Sequence, residues 1–247
     1  MKAIIKSILQ APLRAFGYQI TKIPRSKSSY IDAKTTIEAA AASGQTIREY
    51  VETLWNQQGQ TAKVIEQMND TGCLVPRGDR VLEIGAGTGR YLELILPKVH
   101  PQQYEVYEID QDWADYLAHQ YAPQVISQPT EGTNLRYTTN ESCDLVHAHG
   151  VFVYLPVLSA FEYFHEMIRV CKKSGYIVFD FYSDVEFTVE TIENWLKFLD
   201  RYPVVLPSQS ILDFFHKNDC RFCCQFINKH GHGYSTYFVF QKLLSEA

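Results

Sequence analysis

The run Val81-Leu-Glu83-Ile-Gly85-Ala86-Gly87-Thr-Gly89-Arg90-Tyr91 sets three glycines behind an acid, where an apolar strand hands over to a helical stretch. Glycines at such a junction permit positive φ and let a ligand approach the backbone closely. The helix that follows offers unpaired N–H groups and the positive end of its dipole, which suit a carboxylate or a phosphate. A dinucleotide fingerprint needs G-x-G-x-x-G. Here the third glycine comes one residue earlier and Arg90 follows it.

Glu108 ends the next strand, 19 residues after Gly89. A carboxylate there can accept two hydrogen bonds from a ribose diol. Asp110 competes for the role, and the register with Trp113 favours Glu108. Further on, Cys143-Asp-Leu-Val-His147-Ala-His149-Gly-Val-Phe-Val-Tyr154-Leu-Pro156 puts two histidines on one face of a strand, His147 one pleat further in than His149. An imidazole titrating near neutral pH suits a general base.

These residues need a frame. Short apolar strands at Arg80–Ile84, Tyr104–Ile109, Gln124–Ser127, Asp144–His149 and Tyr176–Tyr182 alternate with helical stretches at Tyr91–Val99, Trp113–Tyr121 and Leu158–Lys172. Such alternation means βαβ units and a mainly parallel sheet, with ligands beyond the carboxyl ends of its strands. The tail reads as helices near Val189–Leu199 and Ile211–Lys217. A hairpin follows, Arg221–Asn228 with Tyr234–Gln241, so at least one strand runs antiparallel. Ahead of the sheet, residues 33–42 and 46–71 carry helical composition, with Thr46 and Glu49 as a helix start.

The pattern E-x-G-x-G-x-G resembles motif I of the class I S-adenosylmethionine (SAM)-dependent methyltransferases. The stretch from Asp144 to Leu155 resembles their fourth strand and the loop beyond it, and Lys173-Ser174-Gly175-Tyr176 their turn before the fifth strand. The resemblance spans roughly residues 79–182. It implies an α/β fold: a doubly wound, mostly parallel seven-stranded sheet with an antiparallel C-terminal hairpin and a helical N-terminal cap. It implies SAM as cofactor, held by Glu83, Gly85, Ala86, Gly87 and Gly89, by Glu108 and Ile109, and by His149. Glu131-Gly132 looks like the loop that caps the adenine edge in this superfamily. Tyr154 stands where relatives often carry histidine.

In such enzymes a nucleophile attacks the sulfonium methyl in line, and alignment and exclusion of water supply most of the catalysis. For a hydroxyl acceptor His149 is the candidate base, with His147 and Tyr154 beside it. On that assignment, replacing His149 by Ala or Gln lowers turnover by about 10²-fold and leaves SAM affinity nearly unchanged. The expected acceptor is a small molecule or a glycan. Residues 28–75, with Tyr30, Tyr50 and Trp55, form a lid. Residues 182–218, with Tyr182, Phe187, Trp195, Phe198 and Tyr202, supply further aromatic faces. Two rival readings remain: aminopropyl transfer on the same fold, disfavoured because the loop after the fourth strand lacks acids, and a catalytically silent binding domain. A nicotinamide oxidoreductase ranks behind both.

Composition narrows the rest. The 247 residues are 46% apolar and 21% charged, enough for one domain core with an added subdomain. We divide the chain into a basic amphipathic segment (1–27), a helical cap (28–75) and a SAM-binding domain (76–247). The net charge of −5 argues against nucleic acid as the main ligand. Residues 1–27 hold six basic residues and no acid, leaving 17 basic against 28 acidic residues in the remainder. Residues 1–17 read as a short amphipathic helix and 18–30 as a linker. That helix offers peripheral contact with an anionic membrane surface. It is a poor signal peptide, because Lys6, Gln10, Pro12 and Arg14 interrupt its apolar region.

The six cysteines read as reduced thiols of a cytoplasmic protein. Cys220-x-x-Cys223-Cys224 with His230 and His232 has the elements of a zinc site. On a strand, however, Cys223 and Cys224 point to opposite faces, and no second Cys-x-x-Cys pair accompanies them. Hard cations want several carboxylate oxygens, which the end of the fourth strand does not supply. No metal is expected.

Overall fold

The computed structural model describes residues 31–197 and 203–244. The helix expected over residues 1–17, the linker over 18–30, and Tyr30, Phe198 and Tyr202 lie outside that range.

Three helices come first: α1 (Ala33–Ser43), α2 (Ile47–Leu54) and α3 (Gln60–Asp70). Thr46 starts α2 with a full capping box: its hydroxyl accepts from the Glu49 N–H while the Glu49 carboxylate accepts from the Thr46 N–H. The single helix expected over 46–71 is broken at residues 55–59. Gly59 has φ 76° and opens α3. Buried Glu52 accepts from the N–H groups of Gly59 and Thr61, both at 2.9 Å, so its carboxylate does the work of a cap across the break. Val64, Ile65 and Met68 of α3 then pack on the next helix through Leu92, Ile95 and Leu96.

The remaining elements are β1 (Arg80–Ile84), α4 (Arg90–Val99), β2 (Gln103–Tyr107), α5 (Gln111–Gln120), β3 (Val125–Ser127), β4 (Cys143–Ala148), α6 (Val157–Val170), β5 (Cys171–Ser183), α7 (Val189–Lys197), β6 (Val205–Leu206), α8 (Ser208–Lys217), β7 (Cys220–His230) and β8 (Gly233–Lys242). The sheet order is β3-β2-β1-β4-β5-β8-β7. All pairs are parallel up to β5, and β8 runs antiparallel to both β5 and β7. The seven-stranded expectation omitted β6, which pairs parallel with Tyr182–Ser183 off the main path and makes eight strands. Two residues are too short a strand to leave a period in the sequence.

β1 and β4 are buried on both faces, as a parallel sheet covered by helices requires. One face carries Leu82, Ile84, Val146, Ala148 and a stack of phenylalanines in which Phe215 lies on Phe240 at 4.1 Å. The other carries Val81, Tyr104, Val106, Leu145 and Val178. Strand order reverses between β1 and β4, so their carboxyl ends frame the crevice where ligands of open α/β sheets bind.

Two details depart from the sequence reading. The helix expected to reach Lys172 ends at Val170, and β5 begins at once with an irregular register opposite Cys143 and Leu145. In β7 the register slips between Phe222 and Cys224. This bulge overrides strand alternation. Cys223 and Cys224 both pack on the face with Val178, Tyr237 and Val239, not on opposite faces, while Phe222 meets Phe238 and Phe240. Among the described residues no group of three His, Cys, Asp or Glu is placed to hold a metal ion. Among them, too, no helix is long and apolar enough to cross a membrane.

Candidate active site

The glycine turn closes the crevice on the β1 side. At Gly89 φ is 76°, and a β-carbon there would lie 2.5 Å from Leu117 Cδ2, so both backbone and packing demand glycine. Gly87, at φ 51°, faces open space. Gly89 precedes α4 with no side-chain cap, which leaves the first N–H groups of the helix available to an anion.

Glu108 stands opposite, one residue beyond β2. Its Oε2 accepts from the Gly87 N–H at 2.6 Å and its Oε1 from the Asp110 N–H at 2.9 Å. Asp110, the competitor, is used otherwise: its carboxylate accepts from the Trp113 N–H at 3.0 Å and caps α5. Between them Ile109 is 81% exposed, an apolar side chain left in water at the rim.

Beneath the turn lies a buried polar chain. Glu83 and His147 are register partners on β1 and β4. Tyr104 reaches both, with its hydroxyl 2.7 Å from Glu83 Oε2 and 2.8 Å from His147 Nε2. Burial pushes the Glu83 carboxyl up to about 8 and the His147 imidazole down to about 3. Burial, which likewise raises the Tyr104 hydroxyl, favours the uncharged form of all three groups.

His149 follows β4 and is 8% exposed. Its ring lies under Tyr91, whose hydroxyl is 3.4 Å from that of Tyr237. Among the described residues neither ring nitrogen has a hydrogen-bond partner, and burial, reinforced by His147 and Arg90, holds the imidazole well below its ordinary pKa. Arg90 sits above this layer, its guanidinium 4.7 Å from the centre of the Trp55 ring and 5.5 Å from that of Tyr91. Arg90, Tyr91 and Tyr237 were not assigned to the site from sequence, although Arg90 and Tyr91 directly follow the glycine run.

The other expected residues are spread wider. Glu131 is exposed and paired with Arg136 at 2.5 Å. Gly132, next to it, accepts from the Tyr163 hydroxyl at 3.0 Å through its carbonyl. Tyr154 is 37% exposed and meets His230 edge-on, with ring centres 6.4 Å apart. Thus Gly87 and Glu108 meet at the ends of β1 and β2, with Gly85, Ala86, Gly89 and Ile109 next to them in the chain. Glu83 and His147 pair within the strands, His149 stacks on Tyr91, and Tyr154 belongs to a neighbouring cluster. In that cluster His230 Nδ1 is 3.3 Å from Asp180 Oδ2, and Asp180 Oδ1 accepts from the Gly150 N–H at 2.6 Å. In the sequence His230 stands out only as a possible metal ligand, and no local pattern marks Asp180.

This geometry has relatives. Magnesium protoporphyrin IX methyltransferase from Synechocystis, solved with bound S-adenosylhomocysteine (SAH), superposes with a TM-score of 0.58 at 12% identity, over 98% of this chain and 100% of that one. The N-methyltransferase NodS from Bradyrhizobium japonicum, also solved with SAH, gives 0.53 at 14% identity, over 72% and 86%. At these identities the likeness is one of fold. No protein of curated function matches the chain. A family model described as a methyltransferase domain matches residues 47–224, from α2 into β7. The chain belongs to this methyltransferase-domain family, within the class I SAM-dependent methyltransferases.

Proposed function

We propose that the protein transfers a methyl group from SAM to a hydroxyl of a small-molecule or glycan acceptor, without a metal ion. The observation that carries the cofactor side is the convergence of the Gly87 N–H and the Glu108 carboxylate at the β1/β4 switch point. The residues present fit such a nucleoside. The uncapped start of α4 and the Arg90 guanidinium suit its carboxylate. The Glu108 carboxylate, an acceptor at both oxygens, suits a ribose diol, and exposed Ile109 suits the face of a base. Gly132 and Glu131 are the candidates for the edge of that base. When bound, SAM supplies an electrophilic methyl on a sulfonium.

The chain's own part is to bind, orient and keep water out. Glu83 and Tyr104 stiffen the strand ends below the glycine turn. His149 is best treated as the floor of the site: desolvation weakens its basicity, and its ring lies flat against Tyr91. A hydroxyl acceptor is favoured because the site offers neutral imidazoles rather than an acidic loop. The neighbours include a porphyrin methyltransferase and an N-methyltransferase, so the acceptor atom is the finer part of the reading.

The test is direct. Incubation with labelled SAM and a panel of alcohols, phenols, hydroxy acids and glycans, followed by product mass, should show the gain of one methyl on an oxygen. Calorimetry with SAM and SAH checks the cofactor half separately, since a silent scaffold need bind neither.

A further inference from the structure

β8 runs antiparallel to both β5 and β7, so β7 points the same way as β4 and β5. Its last residue, His230, therefore arrives at the same end of the sheet as His149 and Gly150. We propose that His230 is the general base of methyl transfer, held by Asp180 in the tautomer that leaves Nε2 free for the acceptor. The proposal rests on the methyltransferase reading above and assigns a residue that reading did not use.

The geometry is specific. Asp180 is 1% exposed, yet both its oxygens are engaged: one by the Gly150 N–H at 2.6 Å, the other 3.3 Å from His230 Nδ1. The backbone N–H fixes which way the carboxylate faces, and the carboxylate can then hold a proton on Nδ1. The Tyr182 hydroxyl donates to the His230 carbonyl at 3.3 Å and anchors the strand end. Gly150 leaves room for the ring. A β-carbon there would stand 3.3 Å from His230 Cε1 and 4.0 Å from Nε2, so the Nε2 edge looks onto the loop that leaves β4. The His230 side chain is 24% exposed, whereas His149 is 8% exposed and His147 is sealed. Of these three histidines, His230 alone combines access with an orienting carboxylate.

The step balances. The acceptor oxygen forms its bond to the methyl carbon while the carbon–sulfur bond breaks, with its electron pair staying on sulfur. The acceptor's proton moves to Nε2. The imidazolium that results is offset by Asp180 and then loses the proton to bulk water. Asp180 is a positioning residue: it touches the base and not the acceptor.

Three variants test this: His230→Gln, Asp180→Asn and His149→Gln. Long-range ¹⁵N spectra of the wild type should show His230 protonated on Nδ1 with a bare Nε2. In Asp180→Asn the amide oxygen should stay on the Gly150 N–H and the NH₂ group turn to Nδ1, forcing the Nε2–H tautomer. SAH affinity by calorimetry should stay within about twofold in both His230→Gln and Asp180→Asn. On the acceptor that the wild type methylates, His230→Gln should lose about 10²-fold or more in kcat. Asp180→Asn should lose about 10-fold or more in kcat with KM for SAM held, and His149→Gln less than His230→Gln. Failure of the wild type to bind SAH would sink the cofactor reading itself. Intact SAH binding with an Nε2–H tautomer in the wild type, or with full turnover in His230→Gln, would overturn the base assignment alone.

Discussion

The Tyr91 ring lies flat on the His149 imidazole, with centroids 3.6 Å apart and planes 13° from parallel. A histidine so placed behaves as an aromatic plate. Among the described residues its nitrogens find no partner, and burial disfavours the charged ring. Replacing a buried polar group that has no partner by an apolar one of similar shape is often neutral or stabilising. His149→Phe should therefore keep the melting temperature of the wild type or exceed it, and keep turnover within about tenfold. His149→Ala leaves a gap under Tyr91 and should cost about 2 kcal/mol of stability. A hundredfold fall in turnover for His149→Phe with SAH affinity intact would return the base to position 149.

Glu83 gives a pH signature. Its carboxyl is raised to about 8 by burial, so the folded protein holds this proton more tightly than the unfolded chain. That contribution favours the fold at low pH and is progressively lost as pH rises from the ordinary glutamate range toward 8. Glu83→Gln should flatten this part of the stability profile between pH 5 and 8, as read by denaturant unfolding. Cofactor binding should couple to the same proton. SAM brings an ammonium and a sulfonium, and a nearby cation favours the carboxylate. Calorimetry at pH 7 in buffers of different ionisation enthalpy should show release of up to about one proton on SAM binding. The release should vanish in Glu83→Gln. An unchanged buffer dependence would separate Glu83 from the cofactor.

The frame of this site was legible because its parts are local. The glycine run, Glu83 and the start of α4 are contiguous, and Glu108 follows at the spacing one βαβ turn dictates. Strand ends were read too long by one or two residues, at Glu108–Ile109 and at His149, because the apolar pattern continues past the last ladder bond. The break before α3 was signalled only by Gly59, since the cap that permits it comes from Glu52 on the previous helix. Asp180 and His230 stand 50 residues apart on strands that are not neighbours, and no local spacing announces such a pair. The bulge at Cys223 likewise follows from packing against Tyr237 and Val239, not from strand alternation.

The glycines of the turn separate by what surrounds them. Gly87 and Gly89 share left-handed backbone, but a methyl at 87 meets open space and one at 89 runs into Leu117. Gly87→Ala should cost about 1 kcal/mol from backbone strain alone. Gly89→Ala adds overpacking, typically about 1–3 kcal/mol more. Thermal melts should rank the wild type above Gly87→Ala and Gly87→Ala above Gly89→Ala. If the two variants melt together, Leu117 moves aside and the turn is less tightly packed than its geometry indicates.

The two halves of the proposed cofactor site can be told apart by truncating the ligand. Arg90 lies between Trp55 and Tyr91 at the start of α4, on the side that suits an amino-acid carboxylate. Glu108 lies across the crevice, where it suits the ribose. Methylthioadenosine keeps the nucleoside and lacks the amino-acid end. Charge-assisted hydrogen bonds are worth roughly 1.5–3 kcal/mol, or about 10- to 100-fold in affinity. Arg90→Ala should weaken SAH by about that factor and leave methylthioadenosine unchanged. Glu108→Ala should weaken both, since both carry the diol. Trp55→Ala should follow Arg90→Ala at smaller amplitude, because the indole only holds the guanidinium in place. Equal losses on both ligands in Arg90→Ala would mean that Arg90 supports the fold of the turn and does not contact the amino-acid end.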